Sequence, residues 1–234
     1  MQRNAVSTVG SPTPSLHKIF GTTSSKATSL NPRDLEQIRI SKAIIFDCDG
    51  TLVDSMPVHF LAWHQTMSRY GIEFPEDRFY ALGGMPSHRI IELLSREQQV
   101  DLDANVVAME KEQAFLDRID LLVPIEKVVE VARQSRGTKP IAVASGGFRE
   151  IVLQQLTQVA MADWFDAVVA AEDTTKHKPE PDVFLEAARR LGVEAQHCLV
   201  FEDADLGVEA ALRAGMPCID VRTFFSPRRF AIGI

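Results

Sequence analysis

Apolar residues along the chain fall into short unbroken runs separated by longer stretches with helical spacing. Five runs, residues 43–47, 140–144, 167–170, 198–201 and 218–221, end in acidic or turn-forming residues. Unbroken rather than alternating apolar character suits strands buried on both faces, as in a parallel sheet covered by helices. The pattern reads strand then helix from residue 42 and resumes that order after about residue 120, so the predicted class is α/β with a Rossmann-like core. Between the first two runs no strand is predicted, and residues 57–70, 76–80, 87–94 and 102–120 read as helices. In the first of these, Phe60, Trp63, Met67 and Tyr70 recur at helical spacing, and Pro57 follows Ser55 where a helix starts well. Residues 57–120 are therefore a candidate α-helical cap inserted into a core of residues 41–56 and 121–225, with residues 226–234 as a tail.

Composition changes the picture at the amino terminus. Residues 1–33 contain Arg3, Lys18, Lys26 and Arg33, no acid, and many serines and threonines, whereas the whole chain of 234 residues carries −7. Such a segment reads as disordered, and the leader is set at residues 1–40. An organelle-import peptide in residues 1–33 or an over-called start codon are the alternatives. A pI near 5.4 argues against a nucleic-acid partner, which needs a clustered basic surface. No apolar run reaches the length that spans a bilayer, so no membrane partner is expected. Cys48, Cys198 and Cys218 are few and scattered, which suits reduced thiols, a cytoplasmic location and a monomer as the working expectation. Cys48 lies between two acids that suppress its thiolate, so it reads as structural.

The candidate chemistry begins where the first strand ends. Asp47 and Asp49 flank Cys48 and precede Gly50-Thr51, and ligands of open α/β sheets gather beyond the carboxyl ends of strands. A carboxylate nucleophile meets a dianionic phosphate ester only if a cation offsets the charge, and clustered acids can bind Mg²⁺. An ordinary Asp-Gly turn is the plain alternative. Ser145-Gly146-Gly147 follows the second strand and precedes a helix, where a hydroxyl and open N–H groups suit a phosphate. Lys178, held in a Pro-rich stretch, offers a fixed ammonium, and Glu202-Asp203 closes the fourth strand with a second acidic pair.

Asp47-x-Asp49-Gly50-Thr51, Ser145, Lys178-Pro179 and Glu202-Asp203, in this order, resemble the haloacid dehalogenase (HAD) superfamily. The resemblance spans roughly residues 42–221 and implies a Rossmann-like HAD core with a helical cap. His59-Phe60-x-Ala62-Trp63 and His177-Lys178-Pro179-x-Pro181-Asp182 resemble the β-phosphoglucomutase-like branch, which includes fructose-1-phosphate and 6-phosphogluconate phosphatases. It implies that Asp47 is the nucleophile, that Asp49 is the acid and then the base, and that Ser145 and Lys178 bind the phosphoryl group. It also implies Mg²⁺ as cofactor, held by Asp47, the Asp49 backbone carbonyl, Asp203 and Glu202. His59, Trp63, Arg89 and Gly146 become the substrate-binding candidates, with a small phosphorylated sugar or polyol as partner. Arg89 falls two positions beyond the mutase arginine, and Gly147-Phe148 replaces polar residues after Ser145. These departures favour a phosphatase of the fructose 1-phosphate or 6-phosphogluconate type over β-phosphoglucomutase. The non-enzymatic alternative is a phosphosugar-binding module, against which the intact motif set counts. Ala204 stands where a serine commonly follows the acidic pair, and the tail is short.

Overall fold

In a computed structural model, which describes residues 29–230, α1 (Pro32–Ile40) leads into β1 (Ala43–Phe46). Four helices follow: α2 (Met56–Arg69), α3 (Glu76–Ala81), α4 (Ser87–Gln98) and α5 (Ala104–Leu116). The chain then runs through α6 (Glu126–Ser135), β2 (Ile141–Ala144), α7 (Arg149–Gln158) and β3 (Ala167–Val169). It ends with α8 (Asp182–Leu191), β4 (Cys198–Glu202), α9 (Asp205–Arg213) and β5 (Cys218–Asp220). The strands form one parallel sheet in the order β3-β2-β1-β4-β5.

Side chains alternate across this sheet, which explains why the three central strands are apolar up to Glu202, the last residue of β4. Ile44, Phe46, Ile141, Val143, Leu199 and Phe201 pack with Val128, Val129 and Ala132 of α6 and Val152 and Leu156 of α7. Ala43, Ile45, Ala142, Ala144 and Val200 face Phe184, Ala187 and Ala188 of α8 and Ala210 and Ala211 of α9. Each face has its own helical layer, so polar positions on these strands would strand unpaired groups in the interior.

Helices α2 to α5, with the turn after α2, bury a third cluster that includes Phe60, Trp63, Met67, Phe74, Phe79, Ile91 and Leu94. Val58 and Ala62 on α2, with Ala114 and Phe115 on α5, belong instead to the sheet-side core. The helical insertion is thus tied to the core through these two helices.

One expectation is corrected. Residues 32–40, placed in the disordered leader, form α1. Asn31 accepts from the Asp34 N–H at 2.9 Å, Asp34 accepts from the Asn31 N–H at 3.2 Å, and Pro32 opens the first turn. This reciprocal cap satisfies donors that otherwise fray a helix start. At the other end Lys139 donates to the carbonyls of Ile38 at 2.6 Å and Ser41 at 2.9 Å. Leu30 and Ile38 pack on the sheet-side core. Residues 1–28 and 231–234, and with them most of the leader and its import reading, lie outside the described residues.

Candidate functional site

Register sets the site. Phe46 of β1 pairs with Phe201 of β4, so Asp47 and Glu202, one residue further on, emerge together at the carboxyl edge of the sheet. Lys178, in the loop before α8, donates to Asp47 Oδ1 and Glu202 Oε2, each at 2.6 Å, and all three residues are buried. Glu202 Oε1 accepts the backbone N–H groups of Asp203 and Ala204 at 3.0 Å, and Thr51 donates to Asp203 Oδ1 at 3.2 Å. Two glycines make room for the acids. A Cβ at Gly50 would lie 2.1 Å from Asp203 Oδ2, and one at Gly207 would lie 2.1 Å from Glu202 Oε2.

Asp47, Glu202 and Asp203 present ligand oxygens within 4.8 Å of one another. Burial first, then the Glu202 charge, pushes the Asp47 and Asp203 carboxyls up, and Lys178 only partly offsets this. Three carboxyls thus share one ammonium, so the cluster draws in protons or a cation. An all-oxygen donor set short of positive charge, made possible by glycines where side chains would intrude, fits a hard divalent cation such as Mg²⁺.

Asp49 occupies different surroundings. Its Oδ1 accepts from Ser55 Oγ at 2.6 Å and lies 2.8 Å from His59 Nε2. Burial works to raise this carboxyl, but the His59 ring and the Ser55 hydroxyl outweigh it and hold the group below the ordinary range. Ser55 and His59 share a face because they are one helical turn apart. Across the imidazole, Lys111 Nζ sits 2.9 Å from His59 Nδ1. An ammonium can only donate, so Nδ1 accepts and the ring proton sits on Nε2, facing Asp49. Phe115 stacks on the His59 ring with centroids 3.8 Å apart, and Lys111 Nζ lies 5.3 Å from the centre of the Trp63 ring.

A cavity of about 90 Å³ brings Asp47, Asp49, His59, Trp63, Ser145, Gly146, Glu202 and Asp203 together. Ser145 is buried and its Oγ accepts from the Gly147 N–H at 3.0 Å, which leaves the hydroxyl proton for another acceptor. The helix start beyond it is less open than the sequence implies. The Arg149 N–H of α7 already faces both carboxylate oxygens of Glu172 at 3.1 Å.

The Asp49 carboxylate stands apart from the three-acid cluster, and the metal expectation for this residue concerned its backbone carbonyl. One further assignment changes. Arg89 is not in the site. Its side chain is 60% exposed, pairs with Glu92 at 2.9 Å and lines a separate surface cavity beside His177. Two residues along an α-helix turn through roughly 200°, so with Ser87 facing inward Arg89 faces out. Cys48 is buried and its thiol is pushed up, by burial and then by Asp49 and Asp47, as its structural reading requires.

The sequence reading missed Thr51, Ser55, Lys111 and Glu112. Thr51 and Ser55 could have been found as hydroxyls flanking the acidic motif. Lys111-Glu112 reads as an ordinary charged pair, and only the packing of α5 against α2 buries it.

A family model described as haloacid dehalogenase-like hydrolase matches residues 41–215. Fructose-1-phosphate phosphatase YqaB of Escherichia coli (strain K12) is 40% identical over 180 residues, covering 76% of this chain and 95% of that protein. The 6-phosphogluconate phosphatase of the same organism is 29% identical over 180 residues, covering 75% and 80%. The crystal structure of β-phosphoglucomutase from Clostridium difficile superposes with a TM-score of 0.70 at 23% identity, covering 77% of this chain and 84% of that one. That likeness is one of fold.

Proposed function

Because the chain belongs to the haloacid dehalogenase-like hydrolase family, we propose that it is a Mg²⁺-dependent phosphatase of small sugar or polyol phosphates of the fructose 1-phosphate or 6-phosphogluconate type. The observation that carries this reading is the divergence of two carboxylates only two residues apart. Asp47 faces Lys178 and the acid cluster, whereas Asp49 is held toward the helical insertion by Ser55 and His59. Paired acids in contrasting environments are how one site supplies separate nucleophile and proton-transfer roles.

In this mechanism Asp47 attacks phosphorus and forms an aspartyl-phosphate. The Ser145 hydroxyl and Lys178 hold the phosphoryl oxygens. Asp49, held low by His59 and Ser55, takes up a proton as the anionic ester binds beside it, gives that proton to the departing alkoxide, then takes one from the water that hydrolyses the aspartyl-phosphate and restores Asp47. The His59 Nε2–H, fixed by Lys111, orients the Asp49 carboxylate for both transfers. Asp47, Asp203, Glu202 and the Asp49 backbone carbonyl would hold Mg²⁺, which when bound offsets the charge between carboxylate and dianionic ester.

The helical insertion supports a gating role. A cavity of about 90 Å³ is far below the ~300 Å³ of small-molecule sites, so substrate entry requires opening. The seam is close, since a Cβ at Gly146 would stand 2.9 Å from the Gly84 carbonyl oxygen. Closure would exclude bulk water until the aspartyl-phosphate has formed. Hydrolysis is favoured over the mutase alternative because the cations available for a second phosphate are engaged elsewhere. Arg89 pairs with Glu92, and Arg149 pairs with Asp173 and donates to the Val168 carbonyl.

The test is phosphate release with Mg²⁺ from fructose 1-phosphate, 6-phosphogluconate and β-glucose 1-phosphate. Release by the wild type that disappears in Asp47→Asn supports the reading. Isomerisation of β-glucose 1-phosphate with little free phosphate would overturn it.

A further inference from the structure

Five carboxylates line the cavity, and the chemistry above uses Asp47, Asp49, Glu202 and Asp203. The fifth, Glu112 on α5, has no part in phosphoryl transfer. Its side chain is 12% exposed. Oε1 accepts from Ser87 Oγ at 2.7 Å and from Lys111 Nζ at 3.0 Å. Oε2 has no hydrogen-bond donor among the described residues, so an acceptor oxygen is left for whatever fills the cavity. Burial works to raise this carboxyl, but Lys111, His59 and Ser87 outweigh it and keep it ionised.

On the insertion side the Lys111 and Glu112 charges offset one another, and the charged atom left without a donor there is Glu112 Oε2. Lys111 is the only lysine or arginine lining the cavity among the described residues, and its ammonium is already shared between His59 Nδ1 and Glu112. A ligand hydroxyl satisfies Glu112 Oε2 by donating to it. A ligand carboxylate or second phosphate has no proton to donate at neutral pH and meets like charge in a water-poor space.

We propose that Glu112 is a specificity-determining residue: its carboxylate accepts hydrogen bonds from the hydroxyls of an uncharged sugar or polyol and rejects phosphomonoesters that carry a second anionic group. This rests on the phosphatase reading and divides its two substrate types. Fructose 1-phosphate is favoured, and 6-phosphogluconate and fructose 1,6-bisphosphate are disfavoured.

The experiment compares kcat/KM for phosphate release from these three esters in the wild type, Glu112→Gln and Arg89→Ala. In the wild type, fructose 1-phosphate exceeds each of the other two by about tenfold or more, the scale of one like-charge contact. Glu112→Gln keeps the size of the side chain and an acceptor oxygen but removes the charge, and it narrows both ratios by about tenfold. Arg89→Ala leaves both ratios unchanged, because that guanidinium lies outside the cavity. Equal wild-type turnover of the three esters overturns the proposal whether or not the Gln variant folds. So does a proportional loss on all three in Glu112→Gln, or a selective loss of the anionic substrates in Arg89→Ala. Absence of phosphate release from any ester overturns the phosphatase reading itself, and this inference with it.

Discussion

Lys111 shows how a single residue far from the acidic motif reaches the chemistry. Its ammonium decides which imidazole nitrogen of His59 carries the proton, and that N–H faces Asp49 Oδ1 at 2.8 Å. Lys111→Met keeps a side chain of similar length without the ammonium, and His59 is free to place its proton on either nitrogen. A positioned proton-transfer group contributes roughly 10²- to 10⁴-fold, so kcat is expected to fall by about 10²-fold. The pH profile of kcat should move with it, because the Nε2–H that faces Asp49 Oδ1 is no longer fixed in place. A kcat within about twofold of the wild type and an unmoved profile would remove Lys111 from the mechanism. The reason this residue was not legible is physical. Asp47, Asp49, Ser145, Lys178, Glu202 and Asp203 sit beyond predicted strands or beside a proline-fixed loop, where local pattern and function coincide. A Lys-Glu pair inside a helix has the same local pattern whether it is solvated or buried. Arg89 fails in the opposite sense. It lies two positions from Ser87, and i, i+2 residues do not face the same way on a helix, so once the structure turns Ser87 inward Arg89 must face out.

Elements at the two chain ends carry stability that composition concealed. The Ser- and Thr-rich stretch before Leu30 drew the disorder reading onto α1, although Asn31, Pro32 and Asp34 spell a helix start. Asn31→Ala removes the acceptor for the Asp34 N–H and is expected to cost about 1 kcal/mol in urea unfolding. No measurable change would mean that α1 is held by Lys139 and the core packing of Leu30 and Ile38 alone. At the other end, the segment after β5 crosses back over the first acidic loop instead of adding a strand. Arg228 Nε donates to the buried Asp54 carboxylate at 2.6 Å, and its NH2 group reaches the Leu121 carbonyl at 2.9 Å. The next residue, Arg229, pairs with Glu76 of α3 and lies 4.3 Å from the Tyr80 ring centre. Asp54 Oδ1 is buried without a hydrogen-bond partner, so Arg228→Ala leaves the carboxylate without its counter-charge and with only the backbone N–H of residue 228, at 3.4 Å. Its expected cost is about 2 kcal/mol or more. Arg229→Ala breaks a largely exposed pair, and its cost should stay within about 1 kcal/mol. Equal effects from the two variants would contradict this division between a buried anchor and a surface contact.

On the scale of the whole molecule, one parallel sheet gathers three carboxylates at its edge, and the stability of the protein should register that crowding. The α/β class follows from unbroken apolar runs, but the strand order and how tightly the acids converge depend on pairing and register, above all β1 with β4, and on Gly50 and Gly207, which no run length encodes. In the metal-free fold the Asp47 and Asp203 carboxyls are raised, chiefly by burial and then by Glu202. A carboxyl raised in the folded state binds more protons there than in the unfolded chain. Stability from this source is therefore greatest at low pH and declines as pH rises above about 4, where unfolded carboxyls ionise. Mg²⁺ binds the ionised form, so its stabilising effect should run the other way and grow from pH 6 to pH 8. At a hundredfold excess over Kd a ligand stabilises by about 2.7 kcal/mol, and 1 kcal/mol corresponds to roughly 2–4 °C for a chain of this size. Thermal melts should thus show a Mg²⁺-induced rise of about 5–10 °C at pH 8 and a smaller one at pH 6. Asp203→Asn should raise the melting temperature of the metal-free protein, since it relieves the repulsion, and should abolish most of the Mg²⁺ increment. A Mg²⁺ increment that is equal at the two pH values, or that survives in Asp203→Asn, would show that the cation binds somewhere other than this acid cluster.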